Sequence, residues 1–408
     1  MSYATHHADS LSSALPPVDW LDQAQAAEAL AGLKRTFQAG AEALDRSAAF
    51  PWDNFAVLHQ QGLLGLTVPK AYGGLGGSLA DAARVIGEVA YGEPSTALIL
   101  VMQYMQHGRL HSSPHWPAHL RERVSLDAVR NGALVNALRV EPDLGTPARG
   151  GLPAMLARRT DEGWRLSGSK IYSTGSYGLT WYLVWARSDD ADPLVGAWLV
   201  HKDSPGIRII EDWDHLGMRA TCSHEIRFDD VLVPLDHAVN VSPWSAHRPE
   251  LDAEAQLWMA VLISSVYDGV ARAARDWFVN WLQDRKPANL GAALASLPRF
   301  QEIVGRIDSL LFSSQLLLES ASQGRVAPER AGQVKFLVTN QAIQTVELAV
   351  QASGNPGLSR RNALERHYRD VLCSRIHTPQ DDTLLINSGK AVFAQAAEPA
   401  SHSGRGVV

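Results

Sequence analysis

The chain has 408 residues, 46% of them hydrophobic and 20% charged, a balance ordinary for a soluble globular protein and a length beyond one hydrophobic core. The formal net charge of −6 gives no electrostatic reason for a nucleic-acid partner. Two cysteines, Cys222 and Cys373, supply neither a disulfide framework nor a cysteine-based metal site.

No basic region followed by an apolar run opens the chain, and no segment offers about eighteen uncharged apolar residues. A cytoplasmic protein without a membrane span is expected. Residues 19–50 are rich in Ala, Leu, Glu and Gln, with apolar positions recurring three or four apart, which predicts a helix that Pro51 ends. A short helix then runs into a loop carrying Gly73, Gly74, Gly76 and Gly77. That loop follows no convincing strand, so it reads as a flexible loop and not as a dinucleotide fingerprint. Residues 79–110 predict two buried helices separated near Gly92 to Ser95, the second apolar on nearly all sides up to Tyr104.

From about Asn131 the pattern changes to β-branched and aromatic residues punctuated by turn signals, through 163–190, 193–210 and 224–239. Helical periodicity returns over 252–287, 299–324 and 331–354, in lengths that suit an antiparallel bundle. The expected fold is therefore α+β. It has an N-terminal helical domain (1–130), a middle antiparallel β-barrel-like domain (131–240), a C-terminal four-helix bundle (241–395) and a flexible tail (396–408).

His107 ends the second buried helix, where it either faces a ligand cavity or caps the helix. His107, His111 and His115 are spaced four and four, but Pro114 interrupts the helix that would align them, so no metal site is expected.

Five stretches together resemble the acyl-CoA dehydrogenase superfamily: residues 62–78, 139–146, 163–176, 214–234 and 351–357. The resemblance covers about residues 20 to 395. It implies a homo-oligomer, a tetramer by family habit, and a flavin, FMN or FAD, held between the middle domain and the C-terminal bundle. Residue by residue, Tyr172 matches the family's aromatic against the flavin. Thr174 matches the residue beside the reactive flavin nitrogen, with Ser173 as the choice if the register slips by one. Thr146 matches a serine near the ligand mouth. Arg285 matches an arginine that reaches a neighbouring subunit's pyrophosphate, as a guanidinium fork suits two phosphate oxygens. Two departures stand out. Val140 occupies a position where the family often has threonine, and the Phe-Gly pair expected after Arg285 is missing.

Aligning Arg369 and Asp370 with the family's Arg-Asp pair puts Thr378, beside His377, where many members carry the glutamate that removes an α-proton. A threonine hydroxyl cannot do that without activation. Asp268 and Glu254, on the helix where other members carry the base, sit in unpersuasive register. The stretch 369–382 instead resembles the superfamily's flavin-dependent monooxygenase branch, of the dibenzothiophene monooxygenase type. That branch takes reduced flavin from a separate reductase and forms a C4a-hydroperoxide with oxygen. His377 then becomes the main candidate for proton handling, with His107 and Thr378 beside it. The competing expectations are an acyl-CoA dehydrogenase with tightly bound FAD and a displaced base, and a non-catalytic fold relative.

Overall fold

A computed structural model describes residues 18–111, 113, 116–144, 151–246 and 253–397. The N-terminal helices are α1 (Gln23–Ser47), α2 (Trp52–Gln60), α3 (Leu79–Gly92), α4 (Pro94–Leu110) and α5 (Ala118–Asn131). Local chemistry sets their ends. Asp22 caps α1 by accepting the Gln25 amide, and Ser78 and Asp81 form a reciprocal capping box on α3. Between α3 and α4 the buried Glu93 carboxylate accepts the amides of Ser95 and Thr96, with Pro94 at the first helical position. α4 is buried on almost every side as far as Tyr104, in line with its lack of a polar face.

Among the described residues the middle segment forms eight strands: β1 (Leu134–Leu138), β2 (Leu156–Thr160), β3 (Gly163–Lys170), β4 (Leu179–Ser188), β5 (Leu194–His201), β6 (Ile207–Ile210), β7 (Glu225–Val233) and β8 (Ala238–Pro243). They make one open sheet in the order β6-β7-β3-β2-β4-β5-β8, with β1 also paired to β4. The β-barrel-like expectation is thus wrong: β6 and β8 are opposite ends of the path and do not pair, so the sheet does not close. Nor is it wholly antiparallel, since β1 and β2 both run parallel to β4. Alternation of buried and exposed side chains reads the same in open and closed sheets. Closure depends on one long-range pairing that leaves no local signal.

The C-terminal bundle is built from α6 (Ala253–Asp284), α7 (Pro298–Ser322), α8 (Ala331–Ser353) and α10 (Ala363–Leu372), with the short α9 (Asn355–Leu358) between the last two and α11 (Asp381–Ala397) after them. α6 is long and apolar enough by length and composition to cross a membrane, yet most of its apolar stretch is buried inside the protein. It packs against α3 as well as α8, and so ties the two helical regions together. Gly269 lets α6 approach closely: a Cβ there would lie 2.5 Å from the Gly87 carbonyl oxygen and 2.8 Å from the Ala90 Cβ.

Candidate active site

The first part of the site is a pair of strand ends. After β1 the chain runs through Arg139 and Val140 to Glu141, whose carboxylate is 2% exposed. Glu141 accepts the Lys170 ammonium at 2.6 Å and the amides of Ala154 and Met155 at 2.7 and 3.1 Å. Lys170, the last residue of β3, is fully buried. Burial pulls its ammonium down to about 8, opposed by the Glu141 carboxylate. The Ile171 amide donates to the Val140 carbonyl at 3.0 Å, which locks the two segments side by side.

Beyond this lock the chain turns sharply. Tyr172 adopts φ of 54°, in the left-handed region unusual for a bulky residue, and leaves its ring 54% exposed. The ring meets Trp213 and His215 edge-on, and those two stack at 3.6 Å. Ser173 points inward, buried and bonded to the Lys170 carbonyl. Thr174 stays partly exposed. Its carbonyl accepts Asn136 Nδ2 at 3.0 Å, and its hydroxyl accepts Ser223 Oγ at 3.2 Å. Of the two register choices, Thr174 is therefore the one with an outward side chain.

The second part lies in the bundle. His377 follows α10 on a tight turn, joined through Thr378 to a cis Pro379. Its Nε2 is 2.5 Å from the Tyr267 hydroxyl, on the middle of α6. Burial, with the Lys335 ammonium nearby, lowers the imidazole to about 4, so it is neutral near pH 7. Burial raises the Tyr267 phenol far above its usual range, so it too stays protonated. Lys335, 1% exposed on α8, donates to the carbonyls of His377 and Pro379 at 3.0 and 2.8 Å and holds the turn in place. The two aspartates beyond the turn are engaged elsewhere: Asp381 accepts from Asn340 and Asp382 from the Thr383 amide.

Other carboxylates are no freer. Asp268 is buried and accepts the Arg272 guanidinium at 2.8 Å, and Arg272 also pairs with Glu88 and donates to the Gly87 carbonyl. This is a clasp between α6 and α3. Asp370 is 3% exposed, is pushed up to about 7 by burial, and accepts the Met218 amide.

The remaining sequence-predicted residues are scattered. Arg285 follows the end of α6 and lines a shallow groove with Trp277, Trp281 and Asn362. Eighteen residues of helix separate it from Tyr267, about 27 Å. His107 is 1% exposed with both ring nitrogens unpartnered, and burial drives it down to about 3. The next residue, Gly108, packs on the Trp258 ring near the start of α6. Thr146 and His115 lie outside the described residues. Among the described residues no group of three His, Cys, Asp or Glu side chains converges on a metal position. Sequence reasoning missed Tyr267 and Lys335. Tyr267 stands next to the Asp268 it did consider, but its partner is 110 residues away and only the fold joins them.

The chain matches the acyl-CoA dehydrogenase N-terminal domain over residues 22–110, the middle domain over 139–231 and the C-terminal domain over 261–381. It is 31% identical to YdbM of Bacillus subtilis, which carries the name of an acyl-CoA dehydrogenase, across 91% of this chain and 97% of the relative. The chain belongs to the acyl-CoA dehydrogenase family. Within that family it is also 28% identical to the L-evernosamine nitrososynthase of a Micromonospora species, across 89% of each chain. Among solved structures, KijD3 in complex with FMN and dTDP-3-amino-2,3,6-trideoxy-4-keto-3-methyl-D-glucose superposes with a TM-score of 0.79 at 26% identity, covering 93% of this chain and 96% of that one. The three matched domains follow the order of the structure, an N-terminal helical region, the sheet and the C-terminal bundle.

The buried His107 and His367 and the partly buried His377 should make the fold acid-sensitive. His107, His367 and His377 are held at about 3, 3 and 4, against an ordinary 6.5. A histidine with a lowered folded pKa takes up its proton on unfolding, so its contribution is complete above about 6.5 and is lost as pH falls towards the folded value. Urea midpoints should fall between pH 6.5 and 4, with these three sites supplying about three protons bound on unfolding near pH 5. His107→Leu should flatten that slope by about one proton; an unchanged slope would mean that His107 is protonated in the folded state.

Proposed function

We propose that the chain is a flavin-dependent monooxygenase that takes reduced FMN or FAD from a separate reductase and oxygenates a small organic substrate. The observation that carries this reading is the neutral Tyr267–His377 pair beside Thr378, the residue that the family resemblance sets at a dehydrogenase's base position. Asp268 and Asp370 are both committed to structural partners. The nitrososynthase relatives and KijD3, with its FMN and amino-sugar ligands, support the same side and favour an amine as substrate.

The strand-end platform fits a flavin. It offers the exposed Tyr172 ring and the Thr174 hydroxyl on backbone held rigid by the Glu141–Lys170 lock. A reduced flavin, when bound, supplies the electrons that activate dioxygen. The chain's part is to hold the ring, exclude water and handle one proton. Tyr267 and His377 carry two protons on three polar atoms, the phenol oxygen and both ring nitrogens. In the tautomer whose Nε2 donates to the phenol oxygen, Nδ1 is the free acceptor, and a proton taken up there gives an imidazolium that must pass the proton on. Because the imidazole is neutral near pH 7, it accepts a proton there without first losing one.

Exposed apolar residues support self-association. Phe312 and Leu316 on α7, and Leu385, Ile386 and Phe393 on α11, are all about half exposed or more. A homo-oligomer that covers these faces is part of this reading.

The test is rapid mixing of the protein and anaerobically reduced FMN or FAD with oxygenated buffer. A transient absorbing species, distinct from reduced and oxidised flavin and longer-lived than in free flavin, is the expected result. Direct reoxidation without it, together with anaerobic bleaching of bound FAD by an acyl-CoA, would replace this reading with the dehydrogenase.

A further inference from the structure

The loop between β6 and β7 joins the bundle to the turn that carries Tyr172 and Thr174, and it is held from both sides. On the bundle side, Asp370 accepts the Met218 amide at 2.7 Å and Arg369 donates to the Leu216 carbonyl at 2.8 Å. Gly217, between them, lies against α10: a Cβ there would be 2.5 Å from the Arg369 carbonyl oxygen, so only glycine fits. Arg369 also forks onto Asp45 near the end of α1. On the other side the backbone stitches the loop to the turn. The amides of Ser173, Gly175 and Ser176 donate to the carbonyls of His224, Thr221 and Cys222 at 3.3, 2.8 and 3.3 Å. Met218 and Cys222 both take left-handed backbone, φ of 52° and 44°, which residues other than glycine hold only where the surroundings impose it.

Within the loop the hydroxyls form an unbroken path. The Thr221 hydroxyl lies 2.9 Å from the Met218 carbonyl and 2.8 Å from the Ser223 hydroxyl, and Ser223 Oγ donates to Thr174 Oγ1 at 3.2 Å. Thr221 is fully buried and Ser223 is 4% exposed, so water does not compete for these contacts.

Three contacts share two protons. Thr174 is the acceptor in its contact with Ser223, so the protons come from Thr221 and Ser223. The Met218 carbonyl already accepts the Thr221 amide at 3.1 Å and does not need the hydroxyl as well. Thr221 donating to Ser223, and Ser223 to Thr174, joins all three oxygens head to tail. Sending the Thr221 proton to Met218 instead leaves either two bare oxygens 2.8 Å apart or Thr174 without its donor. In the head-to-tail arrangement the Thr174 oxygen is met from inside, and its own proton is left for the partly exposed side of the residue.

We infer that Ser223 is a positioning residue for Thr174, on a loop that Asp370 anchors from the bundle: it fixes the Thr174 oxygen as an acceptor on the inner side and so directs the Thr174 proton outward. That the group outside is a flavin rests on the function proposed above; the contacts that direct the hydroxyl do not.

The flavin-free protein gives the first test. In urea denaturation, Thr174→Val should lower the midpoint much less in a Ser223→Ala background than in the unaltered chain. Additive midpoint shifts overturn the proposal. Titration with oxidised FMN gives the second. Ser223→Ala should weaken binding about fivefold, the worth of about one neutral hydrogen bond, and shift the visible band of bound FMN as Thr174→Val does. The double variant should bind no more weakly than Thr174→Val alone, and Ser223→Thr, which keeps a hydroxyl, should restore binding. Asp370→Ala frees the Met218 amide and should weaken FMN through the same path, adding nothing in the Ser223→Ala background. Asp370→Asn keeps an oxygen for that amide and should restore binding. Unaltered FMN binding in Ser223→Ala, or losses in Asp370→Ala and Ser223→Ala that simply add, overturns the proposal; the Ser223 variants decide it even if Asp370→Ala does not fold. A chain that binds no FMN at all would count against the flavin platform, and the urea cycle would then decide the role of Ser223 by itself.

Discussion

His377→Ala should lower the rate of substrate oxygenation by about 10²–10⁴, the usual contribution of a positioned proton-transfer group, while flavin binding and oxygen consumption persist. The reason is a division of labour. The proposed flavin platform is built from the ends of β1 and β3 and the turn after them, and the proposed proton carrier sits on the turn after α10. The turn that carries His377 is held through its backbone, because Lys335 bonds the carbonyls of His377 and Pro379. Removing the imidazole therefore deletes a proton carrier without releasing the loop. Oxygen should still react, but its reduction should go to hydrogen peroxide instead of product, as the measured product-to-peroxide ratio would show. Tyr267→Phe keeps the ring and deletes only the hydroxyl 2.5 Å from Nε2. It should reproduce the uncoupling in milder form and shift the pH profile of product formation. Full coupling in His377→Ala would remove the pair from the chemistry.

The second large effect concerns stability. Lys170→Met should destabilise the middle segment by about 3–5 kcal/mol, the typical cost of breaking a buried ion pair from one side. Lys170 is fully buried and Glu141 almost so, and the substitution leaves the carboxylate with only the amides of Ala154 and Met155. Adding Glu141→Gln should recover a substantial part of the loss, because the remaining group no longer carries a buried charge. Urea denaturation of the single and double variants checks this. The same lock positions Tyr172 to Thr174, so weaker flavin binding should accompany the single variant and be partly restored in the double. Equal stability of all three proteins would show that the pair is not a lock at all.

Helix positions and the change of pattern near residue 131 were legible in the sequence because each rests on interactions within a few residues. α4, for one, lacks a polar face within its own 17 residues. Which of Ser173 and Thr174 is buried was not legible, because Tyr172 has left-handed backbone and Ser173 turns inward to the Lys170 carbonyl while Thr174 stays partly exposed. Closure of the sheet was not, because whether β6 meets β8 is a question about two edges, not about any strand's alternation. The partner of His377 was invisible for the same reason. The sequence by itself determined the order of helices and strands and the family. Tertiary structure alone decided that Tyr267 and Lys335, from two different helices, meet His377. Burial and pairing across 40 to 110 residues of separation are properties of the folded packing, with no local trace in the chain.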